Sequence, residues 1–194
     1  TTIDDALGEA FDKTAKMLGF EFPGGPKIEK YSKKGNPNRF DLPKPIINKG
    51  GCNLSFAGLK TAVFRTKNFL KSNKDKYDLA ASFQATILKI IYKKTKVAIT
   101  EFKKISKSKS LVVAGGVAAN KEIRKTLEKL CHEEGFKSYF PKTELCSDNA
   151  AMIAITGLKK FKQRKFDKLN FSVKPRWPLD EKAKFLKGSG VNYK

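Results

Sequence analysis

The feature that most constrains the fold is the stretch SLVVAGGVAANKEIRKTLEKL, residues 110–130. An apolar run ends in two glycines and passes into a charged segment with helical periodicity, which reads as a strand at 110–114 handing over to a helix at 119–133. A second short strand at KSYF and a helix at 148–162 follow. Strand, helix, strand, helix points to an α/β unit with crossover connections.

Glycine at Gly115 and Gly116 permits positive φ and removes the Cβ that keeps a ligand away from the backbone. The helix that follows offers unpaired N–H groups and the positive end of its dipole. Asn120 falls in its first turn, where an amide can donate to and accept from a ribose or acyl group. The plainer alternative is that Gly-Gly only makes a tight turn.

The rest of the chain is mostly helical in pattern. Ile3, Leu7, Ala10, Phe11, Met17 and Leu18 lie near one helical face, with Thr2 as cap and Gly19 as stop. The Gly- and Pro-rich segment after it reads as loop around a short helix at about 26–33. CNLSFAG reads as a strand with Leu54 and Phe56 on one face. Two helices come next, the second long, with Phe83, Ile87, Ile90, Ile91 and Val97 among its core candidates. NAAMIAITGL, near residue 155, is apolar nearly all round and is expected to be buried.

The net charge of +22 suggests a polyanionic partner, although only five of the 41 basic residues are arginine. A hydrophobic fraction of 40% argues for a folded chain in spite of that charge. Cys52, Cys131 and Cys146 lie too far apart for a CxxC site, and their odd number completes no disulfide framework, so reduced thiols in a cytoplasmic protein are expected. No apolar run approaches the roughly 20 residues that span a bilayer. The chain opens in an apparent helix without an initiator methionine, and further residues upstream are expected.

Two more stretches carry candidate chemistry. AFDKTAKMLGFEFPGGP places Asp12 on a helix and the pair Gly24 and Gly25 in the loop after it. A carboxylate accepting from ribose hydroxyls beside approachable backbone is a common nucleoside device, and the alternative is an exposed acid and a turn. ELCSDNAAM puts Ser147 and Asp148 at a helix entry, as caps or, for Asp148, as a ligand for a hard or borderline cation. The lone histidine, His132, reads as a surface residue. There is no GxxxxGK[ST] phosphate loop, HExxH or GxSxG elbow.

Taken in order and spacing, TIDDALGEAFDKTAKMLG…PGGP, LSFAGLKTAV, LAASFQ, LVVAGGVAANKEIR, ELCSDNAAMIA and PRWPLD resemble the TsaD/Gcp (Kae/Qri-type) family, the tRNA threonylcarbamoyladenosine transferases. The resemblance runs to about Glu181. It implies the C-terminal RNase H-like lobe of an actin, sugar-kinase and chaperone-ATPase fold with helical insertions, over residues 1–174, and a tail at 175–194. It implies an acyltransferase that moves threonylcarbamoyl from threonylcarbamoyl-adenylate to the exocyclic amine of the adenosine beside the anticodon.

By the same resemblance Asp12, Gly25, Asn120, Gly115 and Gly116 bind the adenylate, and Asp148 is one ligand of a single divalent metal, iron or zinc. No catalytic residue is assigned. The family's other metal ligands, an HxxxH pair, and its Gly-rich loop belong to a first lobe that would precede Thr1, so this chain is expected to be a C-terminal portion, inactive alone. Expected partners are tRNA, a paralogous subunit of the same fold and a small P-loop ATPase, with self-association through an unpaired cleft face. Arg176 and Trp177 are candidates for contact with a nucleotide, and Lys159, Lys160, Lys162 and Lys165 for phosphate. The competing readings are a sugar-kinase or ATPase lobe, a non-catalytic nucleotide- or tRNA-binding piece and, weakest, a metalloprotease.

Overall fold

Helix α4 (Asn73–Ile105) is the spine on which the other elements are laid, in a computed structural model that describes residues 1–173. It starts where local chemistry favours a start. The Ser72 hydroxyl accepts the Asp75 N–H, while the Asp75 carboxylate accepts those of Lys71 and Ser72. Leu79, Phe83, Ile87 and Ile90, spaced by three and four, are fully buried, and Phe83 meets Phe11 edge-on at 5.3 Å. Toward the far end Ile99 is buried, while Val97 is only half-buried.

Helices α1 (Leu7–Met17), α2 (Gly24–Ser32) and α3 (Ala57–Lys67) cover one part of this spine. Helix α1 begins at Ala6 rather than at Thr2, because the Glu9 carboxylate accepts the Ala6 N–H. Thr2 is spent instead on a single parallel bridge to Leu54. Gly19 ends the segment in the left-handed region, φ 75°.

The strand expected at CNLSFAG is absent apart from that one bridge. Asp4 is the physical reason. Its carboxylate accepts the Ser55 hydroxyl, the Phe56 N–H at 2.7 Å and the Ala57 N–H at 3.3 Å, which turns the chain into α3 instead of letting it run on extended.

The irregular segment between α2 and α3 is held by polar groups on α4. Gly35 passes so close that a Cβ there would lie 2.0 Å from the Tyr77 carbonyl oxygen. Buried Asp78 accepts the Asn36 N–H and the Arg39 guanidinium, both at 2.7 Å, and Arg39 also pairs with Asp75. Lys94, 3% exposed, donates to the carbonyls of Lys49 and Gly51.

The rest of the body is β1 (Ser110–Val112), α5 (Lys121–Glu134) and β2 (Lys137–Tyr139), with α5 packed on α4. The two strands are parallel, with Leu111 opposite Ser138, so the arrangement is α/β with a small sheet. Val112 is 71% exposed and Tyr139 45%, and only one face of the pair packs inward. Gly135, φ 69°, stops α5.

A single turn of 3-10 helix at Gly116–Ala119 separates the double glycine from α5. The last helix, α6 (Ala150–Lys162), is capped by Asn149, whose side chain accepts the Met152 N–H at 3.0 Å. The expectation that α6 is buried does not hold, since each of its residues is exposed, Ile153 by 65%. Nothing among the described residues covers it. The tail at 175–194, with Arg176 and Trp177, lies outside the described residues.

Candidate functional site

A cavity of about 710 Å³ opens between α1, α2, the 3-10 turn and the start of α5. Asp12, Gly25, Gly116 and Asn120, from three separate places in the chain, all line it. The volume suits a nucleotide-sized ligand. Phe11, Pro23 and Val117 give it apolar wall.

Asp12 is fixed by its neighbour across the α1–α2 corner, where its Oδ1 accepts the Gly24 N–H at 2.8 Å. The two glycines of that corner differ in purpose. A Cβ on Gly24 would sit 2.7 Å from the Asp12 Cα, so the helices cross this closely only because Gly24 has none. A Cβ on Gly25 would meet nothing within 4 Å. Gly25 therefore leaves room in the cavity, while Gly24 shapes its rim.

Gly115 takes φ 91° and makes the turn out of β1, and it does not itself line the cavity. Its Cβ would meet open space, as would that of Gly116. The amides of Gly116 and Val117 have no partner among the described residues and stand at the cavity's edge.

Asn120 is the N-cap of α5 and not a residue of its first turn. Its Oδ1 accepts the N–H groups of Glu122 and Ile123, at 3.0 and 3.1 Å, and its Nδ2 donates to Gln84. The Lys121 N–H goes to Glu29 of α2 at 3.2 Å. The open amide cluster expected at this helix start is thus already taken up by side chains. The donors left for a ligand are those of the 3-10 turn, one step earlier in the chain.

Arg124 fastens the rest of the wall. Its guanidinium donates to the carbonyls of Ala118 and Pro141 and lies 5.0 Å above the Phe140 ring. It also meets Cys146, which lines the cavity with Thr143 and Ser147. Asp148 is exposed and outside the lining, and no three His, Cys, Asp or Glu residues gather among the described residues.

Glu29, Arg124 and Cys146 were not singled out by sequence reasoning. For Glu29 a signal existed, because it follows Gly25 by four residues and so shares its helical face. For Arg124 and Cys146 none did, since their part depends on a loop folding back onto α5.

The family model described as tRNA N6-adenosine threonylcarbamoyltransferase, TsaD, matches residues 1–155. A protein of that name from Pelagibacter ubique (strain HTCC1062) is 65% identical over 98% of this chain and 54% of its own length. One from Rickettsia rickettsii (strain Sheila Smith) is 50% identical over 93% of the chain and 54% of its own. One from Ruegeria pomeroyi is 45% identical over 97% and 54%. The chain thus spans about half the length of the curated relatives it matches. No helix among the described residues is long and apolar enough to cross a membrane. Matched over most of its residues by the family model and at this level of identity by the relatives, the chain belongs to the TsaD family.

Proposed function

We propose that this chain is the adenylate-holding lobe of a tRNA N6-adenosine threonylcarbamoyltransferase, and that the cavity beside Asp12 receives the nucleoside of threonylcarbamoyl-adenylate. The observation that carries this reading is the convergence of Asp12, Gly25, Gly116 and Asn120 on one cavity of nucleotide size. The fold implied is one lobe of the actin, sugar-kinase and chaperone-ATPase type, over residues 1–174.

In this reading the ribose hydroxyls donate to Asp12, whose Oδ2 is not engaged by Gly24. The purine slides over Gly25, where no side chain intervenes. The amides of Gly116 and Val117 donate to a phosphate or acyl oxygen. Asn120 holds α5 in place behind them, so its part is to fix the wall. The chain's contribution to acyl transfer is then positional: it keeps the adenylate in one orientation and shields it from water while the adenosine amine approaches.

Asp148 is proposed as one oxygen ligand of the metal. A single exposed carboxylate does not make a metal site, so the described residues do not fit such an ion by themselves. A paralogous subunit and a small P-loop ATPase remain the proposed partners.

Gly25→Leu tests the cavity cleanly. The new side chain enters open space from a helical position that favours leucine over glycine, so folding is preserved while the cavity fills. Titration calorimetry with AMP should show binding to the unmodified chain and a loss of more than about ten-fold in the variant. Equal affinity in the two proteins, or no binding to the unmodified chain, would count against the reading.

A further inference from the structure

Beyond the cavity, and on a face that its proposed role does not use, aromatic rings and lysines run together across the ends of α1, α2 and α4. Phe20 lies 4.4 Å from Tyr31, and Tyr31 stacks on Tyr77 with centroids 5.0 Å apart and planes within 6°. All three are only half-buried. Phe22, on the same loop as Phe20, is 83% exposed.

The rings carry cations around them. Lys30 stands 5.7 Å over Tyr31 and Lys34 5.9 Å over Tyr77, while Lys76 reaches over Gly19. With exposed Lys16 these four make no ion pair among the described residues. The neighbouring acids are already engaged, Glu21 by Lys27, and Asp75 and Asp78 by Arg39.

This patch is continuous with the cavity. A hollow of about 250 Å³ is lined by Asp12, Lys16, Phe20 and Phe22, and Asp12 also lines the main cavity. Pro23, next to Phe22, stands in the cavity wall. Exposed Phe64 on α3 also has a lysine over its ring, but neither it nor exposed Phe69 lines either hollow.

We propose that this strip, from Phe22 past Phe20 to Tyr31 and Tyr77, is a docking surface for single-stranded RNA, with Phe22 as a stacking platform and Lys16, Lys30, Lys34 and Lys76 along the phosphates. Unpaired cations beside exposed π-faces are the combination that single-stranded nucleic acid requires, since every base has a face to stack and every nucleotide a charge to neutralise. The inference rests on the reading of the chain as part of a tRNA-modifying transferase, and it adds the path by which the RNA loop reaches the cavity mouth.

The test uses a fluorescent anticodon stem-loop RNA and anisotropy at several salt concentrations. Phe22→Ala should weaken binding roughly ten-fold. The double variant Lys30→Glu, Lys34→Glu should lower the slope of log affinity against log salt by about one or more. Lys107→Glu with Lys109→Glu makes the same charge change beyond the other end of α4, about 40 Å away by helical rise from Tyr77, and should act far less.

Equal losses from the near and distant lysine pairs, unchanged affinity in Phe22→Ala, or no RNA binding by the unmodified chain would each overturn the proposal. AMP titration of the same samples keeps the two readings apart. Intact AMP binding with no effect at the strip rejects the strip alone, whereas loss of AMP binding in the unmodified chain rejects the cavity reading.

Discussion

The body formed by α1 to α5 and the terminal helix α6 both carry apolar residues, yet α6, the more apolar helix, is the exposed one. In the body, Phe83, Ile87 and Ile90 find partners in α1, α2 and α5 and lose all contact with solvent. In α6, Met152, Ile153, Ile155, Leu158 and Phe161 are all between 43% and 65% exposed. Apolar periodicity therefore states a demand for burial without naming what meets it. The same lesson applies to the sheet, where apolar Val112 and aromatic Tyr139 face outward.

The comparison predicts unequal responses to equal truncations. Phe83→Ala removes a fully buried ring that contacts Phe11 and should destabilise the chain by about 3–5 kcal/mol in urea unfolding. A loss below about 1 kcal/mol would mean that the body is no better packed than α6.

Next in size is Asp78→Ala, which leaves the Asn36 N–H unpaired and Arg39 with Asp75 alone, and should cost about 1–3 kcal/mol by the same assay. Acid should act at the same place. Hydrogen bonds from the Lys71 amide first, with Arg39 and Ser72, hold Asp75 down at about 2, below its ordinary value of 3.8. Asp78 is also lowered, chiefly by Arg39. A carboxyl whose pKa is depressed on folding adds stability that is complete above its unfolded value and disappears as pH falls toward its folded one. The part due to Asp75 should accordingly be lost between about pH 4 and 2, and Asp75→Asn should flatten that slope of the melting curve.

The smallest effect on folding is expected from Ile155→Ala in α6, within about 0.5 kcal/mol, because the side chain is 57% exposed. Its larger neighbour in kind, Ile155→Asp, should act on association instead. Concentration-dependent sedimentation by the unmodified chain, abolished in that variant, would show that a second copy covers α6. A monodisperse monomer would dismiss self-association and leave α6 waiting for a different partner.

Much of the body could be read from the sequence because its signals are local. Strand, double glycine and helix at 110–130 appear in order, and the spacing along α4 gave its buried face except at Val97. What escaped was decided by side chains acting over long separations. Asp4 captures amides fifty residues away and converts an expected strand into a helix start. Within the candidate site, Asp12 and Gly25 were visible as an acid on a helix before a glycine pair and were assigned by resemblance, whereas the capping duty of Asn120 depends on Gln84 and on a 3-10 turn that no periodicity announces. Asp148, a candidate metal ligand by its place before a helix and by resemblance, is exposed and outside the cavity lining.

The scatter of the cavity's walls along the chain also has a meaning for synthesis. Asp12 and Gly25 leave the ribosome well before Asn120, and at 5–20 residues per second the gap lasts roughly five to twenty seconds. Through that interval the nascent chain carries half a pocket, with the Asp12 carboxylate and the Gly25 opening facing no opposite wall. A nucleotide therefore cannot template the early helices and can reward only a chain that has completed α5.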